Sequence, residues 1–393
     1  MGVIKCGTAD VFNAFCGDHD ITDVLCDETV ICGDKRCYRV TDLTKVGSTA
    51  GRTRMAWLGD ATSGIMFGGL SRNVRGTGGW YTYTVTDTTI TFTQLSVRST
   101  WAGHPNNTPP AIPTASEGGI LSGTKTSGFF YAFATGLASD PFGWHQWRYT
   151  ISGGTVSLTP LYVHNVGIRT PASWSQQHLQ HVNDVQGRGT ANGGFLPLIS
   201  PHDINHPYVT NWAFYTMYVP QRAVSWVTRR GTLASRDVTP GAGDLEVNYV
   251  TPEGDTVPSR GRYGMVGDTT SGLIFGGDGE PNLRNDFITY IVSGHNVKLK
   301  VLNNRGYIPP MHGMGMVGDK NAGLIFGGLT GVNEDNRAFY RYDVDGDDVH
   351  ITRMAGCNPF HQFANQGVYG GSVSSGFYYG GHNADAIKYA VEG

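Results

Sequence analysis

A glycine-flanked turn leading into an apolar strand recurs six times along this chain, and no other feature restricts its fold as strongly. Three copies are nearly identical. Gly59-Asp-Ala-Thr-Ser-Gly64 leads into Ile65-Met-Phe-Gly-Gly69, Gly267-Asp-Thr-Thr-Ser-Gly272 into Leu273-Ile-Phe-Gly-Gly277, and Gly318-Asp-Lys-Asn-Ala-Gly323 into Leu324-Ile-Phe-Gly-Gly328. Three weaker copies obey the same rule. Gly123–Gly128 precedes Phe129–Phe133, Gly187–Gly193 (one residue longer) precedes Phe195–Ile199, and Gly371–Gly376 precedes Phe377–Gly381. A reversal between two buried strands needs positive φ, which glycine supplies without steric cost. The glycine pair after the second strand lets the backbone bend and approach a neighbour closely.

Two more strands follow the turn in each copy. Trp80–Val85 with Ile90–Val97, Phe287–Val292 with Val297–Val301, and Ala338–Val344 with Val349–Thr352 all alternate apolar and polar residues, as strands with one buried face do. The repeating unit is therefore four antiparallel strands, the signature of a propeller blade. The last copy ends at Ile387–Val391 without a fourth strand, while Tyr38–Val46 resembles a fourth strand and precedes the first copy. The expectation is an all-β, six-bladed β-propeller over residues 37–393. Its blades fall at about 47–97, 115–163, 179–231, 259–303, 312–353 and 364–391, with 38–46 closing the ring. Closure removes the free sheet edges that would otherwise aggregate. Composition agrees: 56 of 393 residues are glycine, interleaved with aromatic and β-branched residues, so no window sustains the apolar period of a long helix.

The strand ending in Phe67-Gly-Gly69, Phe275-Gly-Gly277, Phe326-Gly-Gly328 or Tyr379-Gly-Gly381, with an aromatic in the third strand, resembles the kelch repeat. The resemblance covers about residues 38–393, well in blades one, four and five and partly in the others. It implies a β-propeller like the central domain of galactose-oxidase-like proteins, and says little about activity.

Five of the six cysteines, Cys6, Cys16, Cys26, Cys32 and Cys37, fall within the first 37 residues, and Cys357 is far away. That crowding marks residues 1–36 as a separate arm. The cysteines form reduced thiols, a disulfide-stapled arm or a zinc site; the spacings fit no common zinc pattern. Ring closure would bring Cys32 and Cys37 towards the blade carrying Cys357, which makes a bridge from either one to Cys357 a candidate.

Short turns fall on one face of such a ring and long, irregular connections on the other, where binding sites are usually built. The long connections carry Trp101, Trp144, His145, Trp174, His202, Asp203, His206 and Tyr208. Rings beside carboxylate and imidazole groups suit sugar or peptide recognition, because an aromatic face stacks on apolar patches while polar groups read hydroxyls. His178, His181, His202 and His206 have no signature metal spacing, and Asp343–Asp348 falls at a hairpin position, so no metal or cofactor is expected. A catalytic elbow, P-loop, zinc-protease motif or dinucleotide fingerprint is absent from the sequence, so a non-enzymatic role is expected.

The formal charge of −3 supplies no single-sign field for nucleic acid, and no apolar run is long enough to span a membrane. Gly-rich, Thr-rich all-β chains with few lysines resemble tailed-bacteriophage virion proteins in style. That resemblance implies a virion component (tail, collar or fibre) made in host cytoplasm without a signal peptide. Residues 1–36 would dock to other virion proteins in an oligomeric assembly, and the long-loop face would meet a protein or a cell-surface glycan. The alternative is a carbohydrate-active enzyme or lectin on a propeller scaffold.

Overall fold

The computed structural model describes chiefly residues 37–47, 55–68, 79–99, 119–133, 144–160, 244–258, 263–268, 270–279, 282–294, 296–331, 338–356, 367–380 and 385–392, with short separate stretches elsewhere. Every regular element among them is a β-strand. The strands assemble into four-stranded antiparallel modules, each read in chain order from its first strand to its fourth. The first comprises Ala56–Gly59, Ser63–Phe67, Trp80–Val85 and Thr89–Ser99. The second comprises Gly119–Gly123, Ser127–Phe133, Trp144–Ser152 and Thr155–Pro160. The third comprises Arg188–Thr190, Gly193–Ile199, Trp212–Tyr218 and Asp244–Gly254. The fourth comprises Gly264–Gly267, Ser271–Phe275, Phe287–Ser293 and Asn296–Arg305. The fifth comprises Gly315–Gly318, Ala322–Phe326, Phe339–Asp345 and Asp348–Gly356. In the sixth, Val368–Gly371, Ser375–Gly380 and Asp385–Glu392 are completed from the other end of the chain by Cys37–Asp42. The architecture is all-β and propeller-like.

Two boundaries differ from those read in the sequence. The segment 38–46 is not one strand. Cys37–Asp42 pairs with the last strand, from Cys37 opposite Glu392 to Asp42 opposite Ile387. The Leu43 N–H still donates to the Ala386 carbonyl at 2.8 Å, whereas Thr44–Val46 turns away and pairs in parallel with Thr89–Thr91 of the first module. The third module ends at Gly254 rather than near 231, because its fourth strand is Asp244–Gly254. Residues 219–243 intervene and carry a separate small hairpin, Ser225–Val227 with Leu233–Ser235, so proximity in sequence pointed to the wrong segment.

Five of the six repeated turns are each held by a tyrosine among the described residues. The second glycine of the turn stands directly opposite a third-strand tyrosine: Gly64 opposite Tyr83, Gly128 opposite Tyr149, Gly272 opposite Tyr290, Gly323 opposite Tyr342 and Gly376 opposite Tyr389. The ring lies over the glycine, and its hydroxyl donates to the carbonyl one residue past the first turn glycine. These bonds run from Tyr83 to Asp60 at 3.1 Å, Tyr149 to Thr124 at 2.6 Å, Tyr290 to Asp268 at 2.7 Å, Tyr342 to Asp319 at 2.7 Å and Tyr389 to Ser372 at 3.0 Å. Burial pushes the Tyr83, Tyr149 and Tyr389 hydroxyls well above their usual range, so they stay protonated donors. A Cβ on Gly272 would sit 2.2 Å from the Val266 carbonyl oxygen and 2.4 Å from the Tyr290 hydroxyl. Room for that tyrosine, rather than backbone freedom, is what the second glycine provides. The first glycine supplies a positive φ in four of these turns, 120° at Gly267 and 108° at Gly318 among them, though not at Gly59.

Successive modules pack face to face through aromatic residues. Phe67 of the first meets Phe130 of the second, ring centroids 4.6 Å apart, and Phe287 of the fourth meets Tyr342 of the fifth at 5.9 Å. One buried cluster joins fifth, sixth and first modules, with Tyr83 against Phe377 at 5.0 Å and Phe92 against Tyr379 at 4.5 Å. Fourth strands also pair in parallel, the end of one beside the start of another. Ser96–Ser99 lies along Thr155–Leu158, Tyr162–His164 along Asp244–Glu246, Thr251–Gly254 along Asn296–Leu299, Asn303–Arg305 along Asp348–His350, and Ala355–Gly356 along Cys37–Tyr38.

The tyrosine contact makes a sharp distinction between glycines. Gly272→Ala is expected to destabilise the protein by roughly 2–4 kcal/mol through overpacking against Tyr290 and backbone. Gly294→Ala, at φ 58° with nothing within 4 Å of the added carbon, should cost only about 1 kcal/mol. Equilibrium denaturation of the two variants measures both, and equal losses would contradict this account.

Candidate functional site

On the face bearing the repeated turns, the polar side chains are largely committed to the turns themselves. One Asp60 carboxylate oxygen accepts from the Thr62 and Ser63 N–H groups at 2.9 and 3.0 Å and from the Thr62 hydroxyl at 2.7 Å. Asp268 repeats this with Thr270 and Ser271, and Asp319 with the Asn321 and Ala322 amides. These are Asx turns, in which a carboxylate caps backbone donors that the tight reversal leaves unpaired. A lysine ties one turn to the next: Lys125 of the second module reaches Asp60 at 2.9 Å and the Ser63 hydroxyl at 2.8 Å in the first. Lys320 of the fifth reaches the Ser271 hydroxyl of the fourth at 3.2 Å. At Asp60, partial burial works to raise the pKa but is outweighed by the Thr62 and Lys125 side-chain bonds and the two amides, which hold the carboxyl far below its usual range. At Asp268 the Thr270 hydroxyl and the Thr270 and Ser271 amides likewise lower it.

The opposite face carries the second-to-third strand connections and the links between modules. Its described part is centred on Arg260, whose side chain is completely buried. The guanidinium grips Asp286 bidentately at 2.7 and 2.8 Å and donates to the Gly276 carbonyl at 3.2 Å. Further loop contacts surround it: the Gly277 amide donates to the Met311 carbonyl at 2.9 Å, and the Met311 amide to the Arg284 carbonyl at 3.0 Å. Asn336, also buried, donates to the Gly327 carbonyl at 2.9 Å. These groups pin loops onto the ends of the strands.

Of the residues that the sequence nominated for binding, Trp144 and His145 begin the third strand of the second module, opposite Phe133 and Ala132. Trp101, Trp174, His202, Asp203, His206 and Tyr208 lie outside the described residues. Cys6 and Cys26 sit in two short hairpins of the N-terminal segment, opposite Ala9 and Thr29. Cys16, Cys32 and Cys357 lie outside the described residues. Cys37, half-buried in the closing strand, is not a free thiol, and no disulfide pair lies wholly within the described residues. The acidic run at 343–348 is a hairpin with Gly346 at φ 58°. Asp343 pairs with Arg341 at 2.6 Å, Asp348 with Arg305 at 3.2 Å, and Asp347 with Lys300.

On the outer rim, a group that the sequence did not single out combines an aromatic face with a cation. Tyr307 is 73% exposed, the only aromatic among the exposed large apolar side chains of the described residues. It leaves the fourth strand of the fourth module beside the fourth strand of the fifth, which carries Arg353 opposite Tyr340. Burial raises the Tyr340 hydroxyl, and the Arg353 charge partly offsets that. Tyr38 is pushed up to about 12 by burial, again against the pull of Arg353.

No family model matches this chain, and no curated protein matches it.

Two measurements follow from these geometries. Asp286→Ala would leave a buried guanidinium without its counter-charge and should cost about 3–5 kcal/mol, whereas replacing both partners with apolar residues should cost much less. Equal losses in denaturant titrations would refute the ion-pair assignment. Asp60 and Asp268 have folded-state pKa values below their unfolded ones, so their contribution is complete above the ordinary carboxylate range, near about 4, and is lost as pH falls through the folded values. Stability measured against pH should decline in acid, and the Asp60→Asn/Asp268→Asn double variant should decline less steeply.

Proposed function

We propose that the chain closes as a six-bladed, kelch-like β-propeller and serves as a non-enzymatic structural and binding component of a bacteriophage virion. Residues 1–36 dock it to other virion proteins, and its loops and rim meet a partner protein or a host glycan. The observation carrying the ring is the order of the parallel pairings between fourth strands. Each runs from one module to the next, and the last, Thr44–Val46 along Thr89–Thr91, leads from the closing segment back to the first module. The sixth and first modules also touch at the opposite end of their sheets, where a Cβ on Gly370 would lie 2.6 Å from the Asp60 carbonyl oxygen. A ring so joined has no free sheet edge, resists opening, and presents its connections from a rigid frame.

The virion role rests on the style of the chain and on this architecture: a rigid all-β display unit preceded by a cysteine-rich segment. A structural module needs stiffness more than a cleft, and its turn carboxylates are engaged in holding turns. The test is incorporation. The full chain should co-sediment with assembled particles, and a variant lacking residues 1–36 should remain folded but fail to incorporate. Full incorporation of the truncated chain would refute the docking arm. Turnover of glycans by the purified protein would favour the carbohydrate-active reading instead.

A further inference from the structure

We propose that the rim surface formed by Tyr307 and Arg353, over the buried Tyr340, is a binding site for a carboxylate-bearing sugar, such as a uronic acid unit of a surface polysaccharide. This deepens the glycan-attachment reading and rests on it.

The backbone places the three residues together. Arg305 at the end of one fourth strand pairs with His350 of the next, and the two strands run in parallel. Gly306 then crosses the neighbouring strand at φ 116°, so close that a Cβ there would lie 2.4 Å from the Ile351 carbonyl oxygen. Tyr307 therefore emerges alongside the stretch of that strand that leads to Arg353. Arg353 in turn is the cross-strand partner of Tyr340.

The presentation of Tyr307 is rigid. Gly306 is pinned on one side, Ile308 is 1% exposed on the other, and Pro309 and Pro310 follow. A ring held out on fixed backbone loses little conformational freedom when it stacks on a ligand. Three other described arginines are bound to acids, Arg260 to Asp286, Arg305 to Asp348 and Arg341 to Asp343, and Arg98 donates to the Ser157 hydroxyl at 2.7 Å. Arg353 is exposed and makes no ion pair or hydrogen bond among the described residues. Its planar fork is thus available for a carboxylate, which it can hold bidentately while the tyrosine face covers the apolar side of the sugar ring. Tyr340, opposite Arg353, is buried in the core behind it and backs the site without lining it.

The test is binding of the full chain to glucuronate-containing oligosaccharides and to the same oligosaccharides after reduction of the carboxyl group, read by calorimetry. The carboxylated form should bind at least tenfold more tightly. Tyr307→Ala and Arg353→Ala, both exposed and harmless to the fold, should each weaken that binding at least tenfold. Arg353→Lys should recover it only in part, since a lysine keeps the charge but not the fork. Equal affinity for both forms, or tighter binding of a phosphorylated sugar, would overturn the proposal. If carboxylated sugars bind but neither variant weakens them, the rim site is refuted while the glycan reading stands. If no glycan of any kind binds, both fail.

Discussion

Five of the modules share one contact on which their turns depend, a tyrosine hydroxyl reaching across the sheet to the carbonyl inside a tight turn. The hydrogen bond itself is modest, on the order of 1 kcal/mol. Its consequence is larger, because it dictates a bare α-carbon opposite the ring and fixes how the first two strands meet the third. Gly272 beneath Tyr290 and Gly323 beneath Tyr342 show the arrangement in neighbouring modules with nearly the same geometry. The turn carboxylates Asp60, Asp268 and Asp319 complete it by satisfying the amides that the reversal exposes.

A second layer of contacts joins modules to one another. Aromatic faces such as Phe67 with Phe130 fill the space between sheets, while fourth strands exchange main-chain hydrogen bonds end to start. Exposed pairs such as Lys125 with Asp60 contribute little energy singly in water. They mark which turn faces which. The pairing of Cys37–Asp42 with the last strand has a different standing, because it binds segments separated by almost the whole chain. Such a pairing forms late and, once formed, opposes fraying of both segments.

Stiffness bears directly on function. A frame whose described turns are held by their own side chains offers a ligand only what remains exposed. Among the exposed described residues of the outer strands, Tyr307 and Arg353 combine an aromatic face with a guanidinium that makes no ion pair among the described residues. Buried Arg260 has the same chemistry and no such availability, since Asp286 already fills its fork. Burial and pairing, rather than residue type, separate the structural arginine from the one left to bind.

The repeat was legible in the chain because its turns lie within six or seven residues, where local backbone requirements act directly on residue choice. Four-strand modules and the completing role of the N-terminal strand followed from that spacing and from alternation. An aromatic in the third strand was legible, but which tyrosine covers which turn glycine was not. The tyrosine's separation from its glycine runs from 13 residues (Gly376 to Tyr389) to 21 (Gly128 to Tyr149), because the intervening loop varies. The fourth strand of the third module was missed for the same reason, displaced by the insertion at 219–243. Arg353 and Tyr307 lie 46 residues apart and belong to different modules, so only the packing of one sheet against the next makes them neighbours. The sequence by itself therefore determined the turns, the strands and their grouping, which depend on short-range sterics and periodicity. The tertiary structure alone decided which tyrosine caps which glycine and which charges stay free, because those depend on distances between residues that the chain does not hold at any fixed separation.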